Sequence, residues 1–248
     1  MARTDTLGHF LTDVADAIRE KGGTSETITA SDFDTAIANL PSGGGADLSE
    51  YFTNVMIVSG GNGFASLVKK LPSEITLVGT SLSSGFYSFR GTEIPVFDTS
   101  SVTNFYNCFG WCVNLIAIPD LDFSQGTNFT SFAEYCSSIK TVPDLHLISK
   151  SASFSQAFRG CTNLENFPFI DLSQQRRISY IQEMFLDCPN LTDTSLDNIL
   201  KMCITLANAN GTKTLVYIGI TSTNYPASRI EALPSYQDFV NAGWTTGY

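Results

Sequence analysis

The chain has 248 residues, of which 43% are hydrophobic, enough to enclose one sizeable domain or two small ones. Its 24 acidic side chains outnumber 14 basic ones and leave a formal charge of −10. A nucleic-acid backbone is therefore excluded as a partner unless cations cluster, and the densest spots, "VKK" at 68–70 and "QQRRI" at 174–178, hold only two adjacent cations each.

Acidic residues interrupt the amino terminus where a secretory leader needs an unbroken apolar run, and no later stretch is long enough to insert in a bilayer. Synthesis and retention in a cytoplasm are expected. Residues 5–20 place Leu7, Phe10, Leu11, Val14, Ala17 and Ile18 at helical spacing, and Gly22 and Gly23 stop that helix. A second begins at Ser31, a good cap, with Asp34 in its first turn and Phe33, Ile37 and Leu40 on its inner side. Two short helices bury little by themselves, so residues 1–41 read as an arm that docks on a copy of itself or on another protein. The glycine-rich stretch 42–50 reads as its linker.

Residues 51–78 carry two or three short strand patterns, and Asn62-Gly63 favours a tight hairpin turn between them. The nearby "SGGNG" lacks the lysine and the following Ser or Thr of a phosphate-binding loop.

A repeat follows. Cys112, Cys136, Cys161 and Cys188 are separated by 24, 25 and 27 residues. Seven positions before them stand Phe105, Phe129, Phe154 and Ile181, three before them Phe109, Ala133, Phe158 and Phe185, and three after them Leu115, Ile139, Leu164 and Leu191. The spacing of minus seven, minus three and zero predicts one face of a short helix. After it Leu121 and Phe123, Leu145 and Leu147, and Ile170 and Leu172 lie two apart, the period of a strand. Such a unit cannot bury its own apolar face, but stacked copies form a continuous core with a parallel strand ladder. One cysteine per coil forms a line of buried thiols, not a metal site, which needs ligands converging on one point.

Beyond the repeat, residues 193–248 read as a cap: a helix through Leu196, Ile199, Leu200 and Cys203, a strand over "KTLVYIGI", and Phe239 and Trp244 packed against them.

Outward positions of the return strands form a column of Asp98, Asp122, His146 and Asp171, flanked by Val96, Asp120, Asp144 and Phe169. These residues are either a solvated surface or a ligand face, whose carboxylates would accept hydroxyl groups or take calcium and whose Phe169 would offer an apolar plane. Catalysis is not expected. His9 and His146 stand near no serine or cysteine nucleophile motif, and Asp122 and Asp171, two rungs apart at roughly 9–10 Å, sit at the edge of inverting-glycosidase geometry. The sequence calls for no metal and no cofactor.

The phrases "FDTSSVTN", "NCFGWCVNL" and "EMFLDCPNL" resemble the BspA-type leucine-rich repeats, whose consensus runs approximately "DTSNVTNM…MFxxCxxL…LDLS". The resemblance covers about residues 86–192, with Pro119, Pro143 and Pro168 and several Phe or Ala residues departing from it. It implies an α+β fold: a leucine-rich-repeat-like solenoid over 51–192, begun by the β-hairpin and preceded by the two-helix arm. Residues 7–44 are similar to an amino-terminal arm of tail, baseplate and other virion proteins of phages infecting Gram-positive or gut bacteria, and "LPSYQDFVNAGWTTGY" is similar to terminal segments beside such repeats. These resemblances imply a virion structural protein made in a host cytoplasm. Its partners would be other virion proteins and copies of itself, a trimer being one fitting arrangement, together with a glycan or protein of the host surface. A bacterial surface adhesin with the same repeats is the alternative.

Overall fold

The computed structural model describes residues 54–58, 70–71, 73–145, 152–174, 181–210 and 215–245. The arm residues Leu7, Phe10, Leu11, Val14, Ile18, Phe33, Ile37 and Leu40, the linker and the Asn62-Gly63 turn lie outside them.

The strands β1 (Asn54–Val58) and β2 (Glu74–Val78) pair in parallel, with Asn54 opposite Glu74 and Val58 opposite Val78. A two-residue turn joins antiparallel strands and parallel neighbours need a longer crossover, so β1 and β2 are not the two arms of the hairpin expected over 51–78, whose Asn62-Gly63 turn lies outside the described residues. From β2 onward the parallel pairing continues as single bridges, Ser81 to Asn104, Asn104 to Asn128 and Asn128 to Ser153.

After each bridge the chain turns, and here the helical expectation is also corrected. An α-helical N–H bonds the carbonyl four residues back. In this chain the N–H groups of Phe105, Asn107, Phe109 and Trp111 instead donate to the carbonyls of Asn128, Thr130, Phe132 and Glu134 at 2.7–2.9 Å. Those of Phe129, Ser131, Ala133 and Tyr135 donate in turn to Ser153, Ser155, Ala157 and Arg159 at 2.7–2.9 Å. Leu82, Ser84, Phe86 and Ser88 make the same set of bonds to the carbonyls of Asn104, Tyr106, Cys108 and Gly110. The intervening N–H groups close tight turns, as from Cys108 to Phe105 and from Cys112 to Phe109. Two residues per coil, four apart, take positive φ between 51° and 71°: Ser84 and Ser88, Asn107 and Trp111, Ser131 and Tyr135, Gln156 and Gly160, Glu183 and Asp187. Successive four-residue turns return side chains to one face at nearly the helical period, so the apolar pattern of the two is alike.

That face is the core. Phe105, Phe129 and Phe154 are buried and stack at 5.1 and 5.0 Å with interplanar angles of 9° and 8°. Where Ala133 leaves the neighbouring column small, Phe132 beside it fills the gap, reaching Phe109 at 5.1 Å and Phe158 at 6.1 Å. The adjoining coils reverse the sizes, Cys108 beside Phe109 and Ala157 beside Phe158, so the volume per layer is conserved.

The return halves bury Ile118, Leu121, Phe123, Val142, Leu145, Phe167, Ile170 and Leu172 but form no continuous strand among the described residues, only a bridge from Thr141 to Asn166. The ladder expected there lies instead in β1, β2 and the turn halves. Pro119, Pro143 and Pro168 carry no N–H to donate, which disfavours regular pairing at those positions.

The carboxy-terminal side is closed by other elements. Helix α1 (Asp193–Asn210) buries Leu196, Ile199, Leu200 and Cys203. The strand expected over "KTLVYIGI" is corrected to a 3-10 helix, Leu215–Ile218. Its carbonyls are needed by the last coil: Glu183 N–H donates to Tyr217 and Phe185 N–H donates to Ile218 at 2.7 Å. Gly219, at φ +90°, allows this approach, since a Cβ there would stand 2.2 Å from the Leu186 nitrogen. Short helices α2 (Ala227–Glu231) and α3 (Tyr236–Asn241) complete the cap. Phe239 stacks on Trp244 at 5.8 Å, and the indole N–H donates to the Cys203 carbonyl at 2.7 Å. The buried Asp197 accepts from the Ser235 N–H at 2.7 Å and pairs with Lys201 at 2.8 Å, joining α1 to the segment ahead of α3.

Candidate recognition surface

Asp98, Asp120, Asp122, Asp144, Phe169 and Asp171 are all exposed, and His146 lies outside the described residues. The carboxylates have a local role. Asp98 accepts from the backbone N–H and hydroxyl of Ser100 at 3.0 and 2.7 Å, Asp122 from the Ser124 N–H at 2.9 Å, and Asp171 from the Ser173 N–H at 2.8 Å. Each is an Asp-x-Ser turn in which a side chain holds the bend that leads into the next coil. At Asp98 the hydroxyl and then the backbone bond of Ser100 hold the carboxyl below its ordinary range. Turn formation thus already accounts for an acidic residue at three positions of the column. No group of three or more His, Cys, Asp or Glu side chains among the described residues is arranged to hold a metal ion.

The cysteine column has an equally local explanation. Every thiol donates to a carbonyl of the preceding coil: Cys112 to Phe86 at 3.0 Å, Cys136 to Phe109 at 2.9 Å, Cys161 to Ala133 at 3.1 Å and Cys188 to Phe158 at 3.0 Å. Cysteine fits because the slot is small and buried yet faces an acceptor, a combination neither alanine nor valine can meet. Burial pushes the thiols of Cys108, Cys136 and Cys161 well up and that of Cys188 to about 12, so these four are not ready nucleophiles.

A third column escaped the sequence reading. Asn114, Asn163 and Asn190, two residues after their cysteines, each donate a side-chain amide at 2.8 Å to the carbonyl of Arg90, Ser137 and Thr162 on the coil before. Ser138 does the same to Val113 at 2.6 Å. The signal was present in "CVNL", "CTNL" and "CPNL". A surface of a different kind was also missed: Tyr87, Tyr106 and Trp111 are exposed on the turn halves.

No family model, curated protein or solved structure matches the chain.

Proposed function

We propose that this chain is a structural protein of a phage particle: residues 1–41 attach it to other virion proteins or to copies of itself, and the coils project as a spacer or host-recognition module built as a leucine-rich-repeat-like solenoid. The observation that carries the reading is the directional stack, in which each coil from 82 to 188 hydrogen-bonds the next and a separate cap closes one end. Stacking of this kind builds length and a repeated outer face, the attributes of a spacer or binding arm. The similarity of residues 7–44 and 233–248 to segments of phage virion proteins supplies the particle.

Mass spectrometry of particles purified from lysed hosts tests it. The protein is expected in stoichiometric amount, and a chain lacking residues 1–40 is expected in the soluble fraction only. Absence of the full chain from particles overturns the virion reading and favours a bacterial surface adhesin; full incorporation of the truncated chain overturns the docking role of the arm.

A further inference from the structure

The turn halves carry an aromatic strip that crosses several coils. Trp111 is 47% exposed, and its ring lies 4.4 Å from that of Tyr135 at 37°. On the coil before, the exposed Tyr87 lies against Gly110, where a Cβ would approach its ring at 3.3 Å and the Asn107 side-chain oxygen at 1.9 Å. On the coil after, Tyr135 lies over Gly160, where a Cβ would stand 2.4 Å from the ring. The two glycines thus let rings lie close against the backbone of the following coil, making one surface from Tyr87 through Trp111 and Tyr135 to Gly160. Arg159, 6.0 Å from the Tyr135 ring centre, pairs with Glu183 at 3.2 Å, and Gln156 donates to the same carboxylate at 2.9 Å. Asn107 Oδ1 and Arg159 Nε are buried and have no hydrogen-bond partner among the described residues.

We propose that this strip binds a neutral glycan chain, with pyranose C–H faces on Trp111 and Tyr135 and hydroxyl groups on the side chains of Gln156 and Glu183. The surface chemistry selects this occupant. An added peptide strand needs a row of open backbone groups, whereas the N–H and carbonyl groups of these coils bond their neighbours. Nucleic-acid bases also stack on aromatic rings, but a chain of charge −10 repels their phosphates. A purely apolar partner would strip water from the half-exposed Arg159–Glu183 pair and from Gln156 beside the rings and put no polar group in its place. A glycan presents flat C–H faces and a rim of hydroxyl groups in a linear repeat, and the strip repeats along the stack. The inference deepens the recognition role proposed above and rests on it, but its test does not involve the particle.

The full chain is titrated with cellohexaose, chitohexaose and maltohexaose while tryptophan emission is followed. Of the two tryptophans, Trp244 is buried, so a sugar on the strip reports through Trp111. A saturable change with at least one sugar is expected. Calorimetry on variants then locates the site: Trp111→Gly, which suits φ +61° without strain, and Tyr135→Gly, at φ +59°, are each expected to weaken binding about tenfold or more, while Asp122→Ala leaves it unchanged. No saturable change with any of the three sugars, or equal affinity in the native chain and both glycine variants, overturns the proposal. Loss of binding in Asp122→Ala with retention in Trp111→Gly overturns it too and returns recognition to the acidic column. Sugar binding by a protein absent from particles would overturn the virion reading alone.

Discussion

The two halves of each coil are held by different means. In the turn half, residues 105–112 for example, alternate N–H groups donate to the next coil, the thiol of Cys112 donates to the previous one, and Phe105 lies in a stack of parallel rings. In the return half, residues 118–123, Pro119 breaks the run of donors, and burial of Ile118, Leu121 and Phe123 together with side-chain bonds such as Thr99 to the Asp122 carbonyl at 2.9 Å holds the chain. Directional order belongs to the first half and apolar filling to the second. The repeating unit is thus a hydrogen-bonded turn with a loosely specified return, and not a helix followed by a strand.

The largest effect expected from this comparison is at Phe129, in contact with rings on both neighbouring coils. Phe129→Ala should cost about 3–5 kcal/mol by urea unfolding, against about 2 kcal/mol for Leu121→Ala in a return half better able to collapse around the void. Equal losses would mean the halves do not differ. Next, Gly160→Ala should cost about 1–3 kcal/mol, since the added Cβ meets Tyr135 and the backbone stands at φ +71°; an unchanged melting temperature would contradict the turn geometry. Cys161→Ala removes a buried thiol and its bond to Ala133 and should cost about 1 kcal/mol. On the same footing, all six cysteines, each buried, should resist a thiol reagent in the native protein and react once it is unfolded.

The smallest effect expected is in the cap. Burial raises the Asp197 carboxyl, but the bonds from Lys201 and Ser235 outweigh it and leave a value below the ordinary 3.8. A depressed carboxyl contributes stability that is present above 3.8 and lost as pH falls through the lower folded value. Stability should therefore fall in that acid window, and Asp197→Asn should flatten the fall; an identical acid limb in the variant would show that this carboxylate is not responsible.

Much of the stack was legible in the sequence because burial is periodic. The columns of Phe105, Phe109, Cys112 and Leu115 repeat in type and spacing, and all are buried. The backbone that presents them was not legible. A four-residue turn and a 3.6-residue helix place apolar side chains alike, and the residues that require positive φ here are Ser, Asn, Trp, Tyr, Gln, Glu and Asp with a single glycine, so the usual marker of such turns is missing. Parallel pairing of β1 and β2 was hidden because Asn62-Gly63 is a local turn signal and carries nothing about which strands on either side of it pair. At the acidic column, "DTS", "DFS" and "DLS" carried the turn chemistry, yet the alternation of exposed and buried residues drew the reading toward a ligand face. The aromatic strip was only half legible: Trp111 and Tyr135 share the position directly before Cys112 and Cys136, but Tyr87 stands one residue earlier in its coil, and the rings lie close only through the space left by Gly110 and Gly160.

Cross-hydrogen-bond scalar couplings measured on isotopically labelled protein test the stack most directly. Couplings from the amides of Phe105, Asn107, Phe109 and Trp111 to the carbonyls of Asn128, Thr130, Phe132 and Glu134 are the predicted result. Couplings from those amides to carbonyls four residues back in the same segment would show helices in place of stacked turns and would contradict the account.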